Sequence, residues 1–407
     1  MYPGSTVTRM LGDEVFSSEG KIWRRHRKAA NPAFHRGWKI ELFSKSANQA
    51  LSVLHNTAKR NEGDKGVVVN GIFGNLALDV MGRALYKYEF NALHNPESPE
   101  AENFYKMLSQ VFSVTGLLVP LIHRINGFAK EAVARIERFE AHILGILNER
   151  KMQHSKTLAS SSHEQPETEY QSDLLTTIIE ANEKEVGGPD FLTDSELLGN
   201  LKVFYVAGTD TSANTIVTCL YFLATNPDIQ ERARNEIISY YDDNATPTAD
   251  IIPTHEQVKS LTYLTAIIRE GLRLVPPVPL IPRRFSAIDT TLGDHFIPAQ
   301  TPVFVSTIGV HLNDNVWPDS YKFAPERFLN KVNNIDYYSF LPFGAGPRQC
   351  IGMNFALLEV KISLSAILRK FKVSLAPGSI HSYGRPVITS DMVCCPKKLD
   401  LQFTPLY

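Results

Sequence analysis

The sequence predicts a mainly α fold: a helix-rich single domain spanning residues 1–407, with a small β region in its second half. Three observations carry this expectation. Apolar residues recur at helical spacing over long segments, as in "FAKEAVARIERFEAHILGILNER", Phe128 to Arg150. Short β-branched runs bounded by turn residues come late, in "TTLGDHFIPAQTPVFVST", "KFKVSLAPGS" and "KKLDLQFT". Hydrophobic residues make up 43% and charged residues 21% of the 407, enough for one sizeable core.

The helices follow in order. "WRRHRKAANPAFH" reads as a basic helix near the start. After Phe128–Arg150, the stretch Gln153 to Asp173 is polar and poor in aliphatics, and reads as a mobile surface loop. It is not taken as a domain linker, because the helices on both sides need apolar partners. Asp173–Asn182 and Thr193–Ala207 are helical, the second opening on a Thr193 N-cap with Glu196 three residues later. A long apolar helix, Pro227–Tyr240 and "HEQVKSLTYLTAIIREGLRL" complete the helical part. No internal repeat is evident.

The apolar helix, Val203 to Ala224, is long enough to mimic a membrane span and carries one charge, Asp210. An acid within a cluster of hydroxyls is costly at a bilayer centre, so a helix buried through a large domain is expected instead. A formal net charge of −1 gives no global reason for nucleic-acid binding. Four cysteines do not make a secreted disulfide framework, so a reducing compartment is expected. "MYPGSTVTRMLGDEVF" lacks the charged-then-apolar pattern of a signal peptide.

The chemistry concentrates in "FLPFGAGPRQCIG", Phe340 to Gly352. Zinc would need further Cys or His at short spacing, and none is near Cys350. A dinucleotide loop would need a third glycine where Gln349 stands, and a phosphate loop would need Gly-Lys-Ser/Thr. A cysteine nucleophile would want an adjacent base, and no neighbour is an obvious one. A thiolate ligand of haem iron accounts for all of it. Gly344, Gly346 and Gly352 would let backbone pass close to a flat macrocycle. The following helix and backbone N–H groups would moderate the thiolate charge. Arg348 could pair with a haem propionate, and Phe343 could cover the proximal face.

"FGAGPRQCIG" resembles the haem-binding signature of the cytochrome P-450 family. Further motifs agree in family order. "AGTDTS", Ala207 to Ser212, is similar to the oxygen-activation stretch of the long central helix. "EGLR" and "PERF" supply Glu270, Arg273 and Arg327, which in the family form a buried network holding the cysteine loop. "WRRHR" resembles the segment in which Trp23 and Arg27 reach a propionate, with His26 between them. The resemblance runs from about Gly12 to the C-terminus.

The resemblance implies the cytochrome P-450 fold, heme b (iron protoporphyrin IX) held by Cys350, and insertion of one oxygen atom from O2 into an apolar organic substrate. Thr211 and Asp210 would manage protons, Gly208 would admit the cofactor face, and Arg283 or Arg284 would contact another propionate. Phe204, Tyr205, Val278 and Ile281 would line the substrate pocket. Electrons would come from an NADPH-dependent reductase, docked against the cationic residues around Trp23, with Arg348 and Lys361. Location would be the cytosolic face of the endoplasmic reticulum membrane, with a membrane-surface contact through the apolar patch "VFSVTGLLVPLI". Family members have a substantial segment before the "WRRHR" helix, whereas this sequence starts almost there, so an N-terminally shortened member is expected. The alternative is a catalytically silent fragment acting as a binding or structural protein.

Overall fold

A computed structural model describes residues 6–35, 37–61, 66–112, 128–159, 173–241, 250–329, 336–381, 384–389 and 393–407. The helices that build the core are α1 (Thr6–Leu11), α2 (Gly20–His35), α3 (Ile40–Arg60), α4 (Asn70–Tyr86), α5 (Pro99–Val111), α6 (Phe128–Ala159), α7 (Leu174–Glu183) and α8 (Asp194–Thr225). After them come α9 (Pro227–Tyr241), α10 (His255–Ser260), α11 (Thr262–Leu274), α12 (Thr307–His311) and α13 (Met353–Lys370).

The molecule is organised around α8. Its start is the capping box expected at Thr193: the Glu196 N–H donates to the Thr193 hydroxyl at 3.3 Å, and the Thr193 N–H donates to the Glu196 carboxylate at 2.9 Å. The expected Thr193–Ala207 helix and the apolar helix after it are one continuous helix of 32 residues. It packs against α4, α6, α11 and α13. Apolar residues all round suit a helix covered on every side, as its buried run Ile216–Ala224 shows. No helix among the described residues is long and apolar enough to cross a membrane.

The β structure is small and late, as expected, apart from an early strand, β1 (Val67–Val68). β6 (Phe371–Leu375) and β7 (Asp400–Pro405) pair antiparallel, Val373 opposite Phe403, and β1 adds to the other edge of β7. β2 (Leu280–Phe285) pairs with β5 (Pro302–Ser306), with a register shift between Ile281 and Arg284. β3 (Thr290–Leu292) and β4 (His295–Ile297) form a hairpin.

Two expectations need correcting. The helix from Phe128 runs to Ala159, so residues 153–159 are helical rather than part of a loop. Gln153 donates to Glu149 one turn back at 3.1 Å, and His154 meets Glu183 of α7 at 3.0 Å, so polar residues continue the helix along a neighbour. Residues 160–172, and most of the "VFSVTGLLVPLI" patch, lie outside the described residues. Second, "HEQVKSLTYLTAIIREGLRL" is two helices broken at Leu261 (ψ 75°). The Glu236 carboxylate on α9 accepts the N–H groups of Tyr263 and Leu264 at 2.7 and 2.9 Å, capping α11 from outside and fixing the break.

Candidate active site

Cys350 lies three residues ahead of Met353, where α13 begins, in a loop that folds back on itself. Its N–H donates to Phe343 O at 2.9 Å, and the Gly344 N–H donates to Leu341 O at 3.1 Å. Gly344 and Gly346 both have φ of +68°, which a side chain would strain, and a Cβ at either would meet nothing within 4 Å. Gly352 has an ordinary φ of −89° and is the N-cap of α13. Cys350 is exposed although protein lies on nearly every side, so its sulfur looks into a recess rather than bulk solvent. Burial in that recess raises the thiol pKa, while the Gly352 N–H and the Arg27 charge oppose the rise.

Around the recess stand several guanidinium groups. Arg27 on α2 donates to Gln349 O at 3.0 Å and acts electrostatically on Cys350. Arg348 donates to Ser18 O at 2.7 Å and lies 4.4 Å over the Trp23 ring. Burial lowers its pKa, and Arg284 and Arg27 lower it further. Mutually repelling guanidiniums held together by backbone carbonyls suit a pair of carboxylates. On β2, Arg284 acts electrostatically on Arg348; the Arg283 side chain lies outside the described residues.

A second incompletely buried surface belongs to α8. Within the buried span 201–225, the incompletely buried residues are 207, 208, 210, 211 and 214, one stripe of the helix. The Thr211 hydroxyl donates to Ala207 O at 2.7 Å, and Asn214 donates to Asp210 at 3.4 Å. Thr209 and Thr215 bond back in the same way, at 2.8 Å each. The role expected of Gly208 is corrected. A Cβ there would stand 2.5 Å from the Met81 sulfur, so Gly208 admits α4, and Ala207 is the exposed residue of the stripe. On this side the Cys394 N–H donates to Pro277 O at 2.8 Å, next to half-buried Val278; Ile281 is half-buried at the start of β2.

Beneath the cysteine loop lies the network expected of Glu270, Arg273 and Arg327. Arg273 donates to both Glu270 oxygens at 2.8 Å, and to the carbonyls of His311, Ser320 and Lys322 at 2.8, 2.6 and 3.2 Å. Arg327 lies 3.3 Å from Glu270, and the Ala324 N–H donates to Glu270 at 2.9 Å. Sequence reasoning missed the next link. His311 Nε2 accepts the Leu341 N–H at 2.8 Å, which ties the network to the residue two before Phe343. Burial pushes His311 down to about 4, against the opposing pull of backbone hydrogen bonds from Arg273 and Leu272, so the ring is a neutral acceptor. Also missed was Glu359 on α13, wholly buried beside Ser212, whose carboxyl burial pushes up to about 8.

Four residues expected at the site or its docking face stand elsewhere. Tyr205 is wholly buried among Tyr86, Phe90, Phe104 and Phe139, with ring centroids 5.0–5.9 Å away, so it is core rather than pocket. Phe204 packs edge-on against Phe34 of α2 at 5.0 Å. Helical rotation turns Tyr205 away from the 207/211 stripe, whereas Phe204 lies on the same side of α8 as residues 207, 208 and 211 and is taken up by its packing on Phe34. His26 is also wholly buried, its Nδ1 2.7 Å from Asn200 Nδ2 and its Nε2 3.7 Å from Glu196, so it joins α2 to α8 and does not face the recess. Lys361 turns inward to Val258 O at 3.3 Å, which removes it from the expected cationic face.

A recessed cysteine beside a helix start, carboxylate-seeking arginines and a facing stripe with an acid–alcohol pair fit a haem held between α13 and α8. Comparison with known proteins agrees. The family model described as cytochrome P450 matches residues 4–402. Cytochrome P450 3A5 of Homo sapiens is 31% identical over 382 residues, covering 91% of this chain and 72% of that protein. Cytochrome P450 3A30 of Fundulus heteroclitus is 29% identical over 368 residues, covering 90% and 71%. The fold is similar to the crystal structure of a cytochrome P450, CYP102L1, with a TM-score of 0.80 at 24% identity, covering 99% of this chain and 87% of that one. The chain therefore belongs to the cytochrome P450 family of haem-thiolate monooxygenases.

Proposed function

We propose that this chain binds heme b through a Cys350 thiolate–iron bond and inserts one oxygen atom of O2 into a small apolar substrate, with electrons from an NADPH-dependent reductase. The observation that carries the reading is the placement of Cys350: an exposed sulfur inside a recess, with the Gly352 N–H and Arg27 bearing on it. The bound haem supplies the oxygen-activating iron and the redox chemistry. Binding such a metal displaces the thiol proton outright, so the raised free-thiol pKa is no obstacle.

The protein's own groups then have separate tasks. Arg27 and Arg348, with Arg283 or Arg284, hold the cofactor carboxylates, Trp23 supports Arg348 from below, and Phe343 covers the thiolate. Thr211 Oγ1 already donates to Ala207 O, so its lone pairs are left to accept a proton-bearing partner above the exposed stripe. Asp210, half-buried beside it, exchanges protons with water and passes them to that hydroxyl. Val278 and Ile281 present apolar surface across from the stripe; fatty acids, terpenoids, polyketides and xenobiotics all suit such a wall.

The α2 face carries a groove of about 480 Å³ whose lining includes Trp23, Arg24 and Arg27, complementary to an acidic electron donor; Lys28 beside them is already paired with Glu185 and Asp190. The reductase, and attachment to the endoplasmic reticulum surface, rest on the family resemblance. The test is a carbon-monoxide difference spectrum of the reduced protein. The red-shifted Soret band of a thiolate-ligated haem is expected in the natural chain and absent from Cys350→Ser; the same band in both would end the proposal.

A further inference from the structure

Glu14 stands out in an exposed segment. Gly12, Asp13, Phe16, Ser17 and Glu19 are all solvent-facing, yet Glu14 is wholly buried. A carboxyl group inside protein is costly unless donors surround it. Here they do: one oxygen accepts the Phe16 N–H, the other accepts the Ser17 N–H at 2.9 Å, and the Ser18 N–H donates to Glu14 O at 3.1 Å. The side chain thus wraps residues 14–18 into a tight turn around itself.

The turn's carbonyls point at Arg348. Ser18 O accepts from it at 2.7 Å and Phe16 O lies 3.5 Å from its other terminal nitrogen. The turn is fixed from behind as well. The Val15 N–H donates to Asn200 Oδ1 at 3.0 Å, and Asn200 Nδ2 meets His26 at 2.7 Å, which gives buried His26 a task in the same assembly. The Glu19 and Glu14 charges favour the Arg348 cation, while Arg284 and Arg27 oppose it. Burial raises the Glu14 pKa, and the Ser17 and Phe16 donors and Arg348 hold it down.

We propose that Glu14 is a positioning residue of the haem site: it folds the 14–18 turn whose carbonyls aim Arg348 at a cofactor carboxylate. The inference rests on the reading of Arg348 given above. A purely local cap would stabilise the turn without any dependence on Arg348, which makes the two roles separable.

The experiment is haem transfer from the loaded protein to excess apomyoglobin, followed optically, for the natural chain, Glu14→Gln, Arg348→Gln and the double variant. Glu14→Gln keeps the size but loses the charge and one acceptor. Each single variant is expected to speed haem loss about tenfold, the worth of one charge-assisted hydrogen bond. The double variant should release haem no faster than Arg348→Gln alone, and Glu14→Asp, which keeps the charge, should fall between the natural chain and Glu14→Gln. Should Glu14→Gln not fold, Glu14→Asp with Arg348→Gln closes the same cycle. An undiminished Glu14 effect in the Arg348→Gln background would overturn the inference, as would a Glu14→Gln rate equal to the natural one when Arg348→Gln is fast. No effect from Arg348→Gln would instead overturn the carboxylate-holding role of Arg348, and the inference with it.

Discussion

The two sides of the site are built to different rules. On the thiolate side, every link from Glu270 to the cysteine loop is buried and bonded. Arg273 has five N–H donors, and all five have acceptors among Glu270, His311, Ser320 and Lys322. On the distal side, Asp210 and Thr211 are half-exposed, and the Thr211 hydroxyl donates to a carbonyl of its own helix. Rigidity is concentrated where a ligand bond must keep its direction. On the proposed function, the half-exposed acid and alcohol stand where protons would move. The difference predicts that stability and turnover respond to different residues.

The largest effect on stability belongs to the thiolate side. Arg273→Ala leaves the Glu270 carboxylate buried with much of its charge uncompensated and orphans three carbonyls. Breaking such a pair costs about 3–5 kcal/mol, a large fraction of a typical domain's stability. Urea unfolding should show that loss, together with a lower yield of haem-loaded protein. Arg273→Lys should recover little, because an ammonium cannot serve both Glu270 oxygens and three carbonyls at once. A loss below about 1 kcal/mol would mean that the network is not what holds the loop.

A smaller effect comes from the link that sequence reasoning missed. His311 is neutral in the fold because burial pushes it down to about 4, against an ordinary value of 6.5. Between those values the unfolded chain takes up a proton that the folded chain refuses, so stability falls as pH drops from about 6.5 and levels off near 4. The span corresponds to about 3 kcal/mol at most. His311→Gln keeps an acceptor for the Leu341 N–H but cannot titrate. The difference in stability between natural chain and variant, followed from pH 7 to pH 4 by denaturant melts, should therefore change sharply in that window. A difference that stays flat with pH would remove His311 as the titrating link.

What could be read from the sequence divides along the same line. Cys350, Arg273, Thr193 and the long central helix were legible because each depends on local pattern: a glycine-flanked thiol, an i,i+3 pair, a capping box, an apolar run. His311 and Glu14 were not, because each acts across the fold, on Leu341 and Arg348, and nothing near them in sequence signals it. Tyr205 was misplaced for a related reason. The periodicity of an all-apolar helix does not say which side faces the cleft, and only the packing of Tyr86, Phe104 and Phe139 around it decides. The break at Leu261 escaped notice because its cap, Glu236, sits on another helix.

The smallest effect on stability, and the one that sharpens the contrast most, is expected from Thr211→Ala. The hydroxyl's one described bond is to Ala207 O at 2.7 Å, in a half-exposed position, and alanine is the better helix former. Unfolding free energy should change by no more than about 1 kcal/mol, of either sign. Turnover should behave otherwise. Without Oγ1, nothing on the stripe relays a proton from Asp210 to the substrate side, so electrons drawn from the donor should end in reduced oxygen species rather than product. The measurement is the ratio of product formed to NADPH consumed, with hydrogen peroxide release recorded alongside. A fallen ratio with an unchanged melt would set the distal side apart as chemically active and structurally light. A fallen melt with an unchanged ratio would reverse the contrast, making Thr211 a bracing residue and leaving proton delivery to another group.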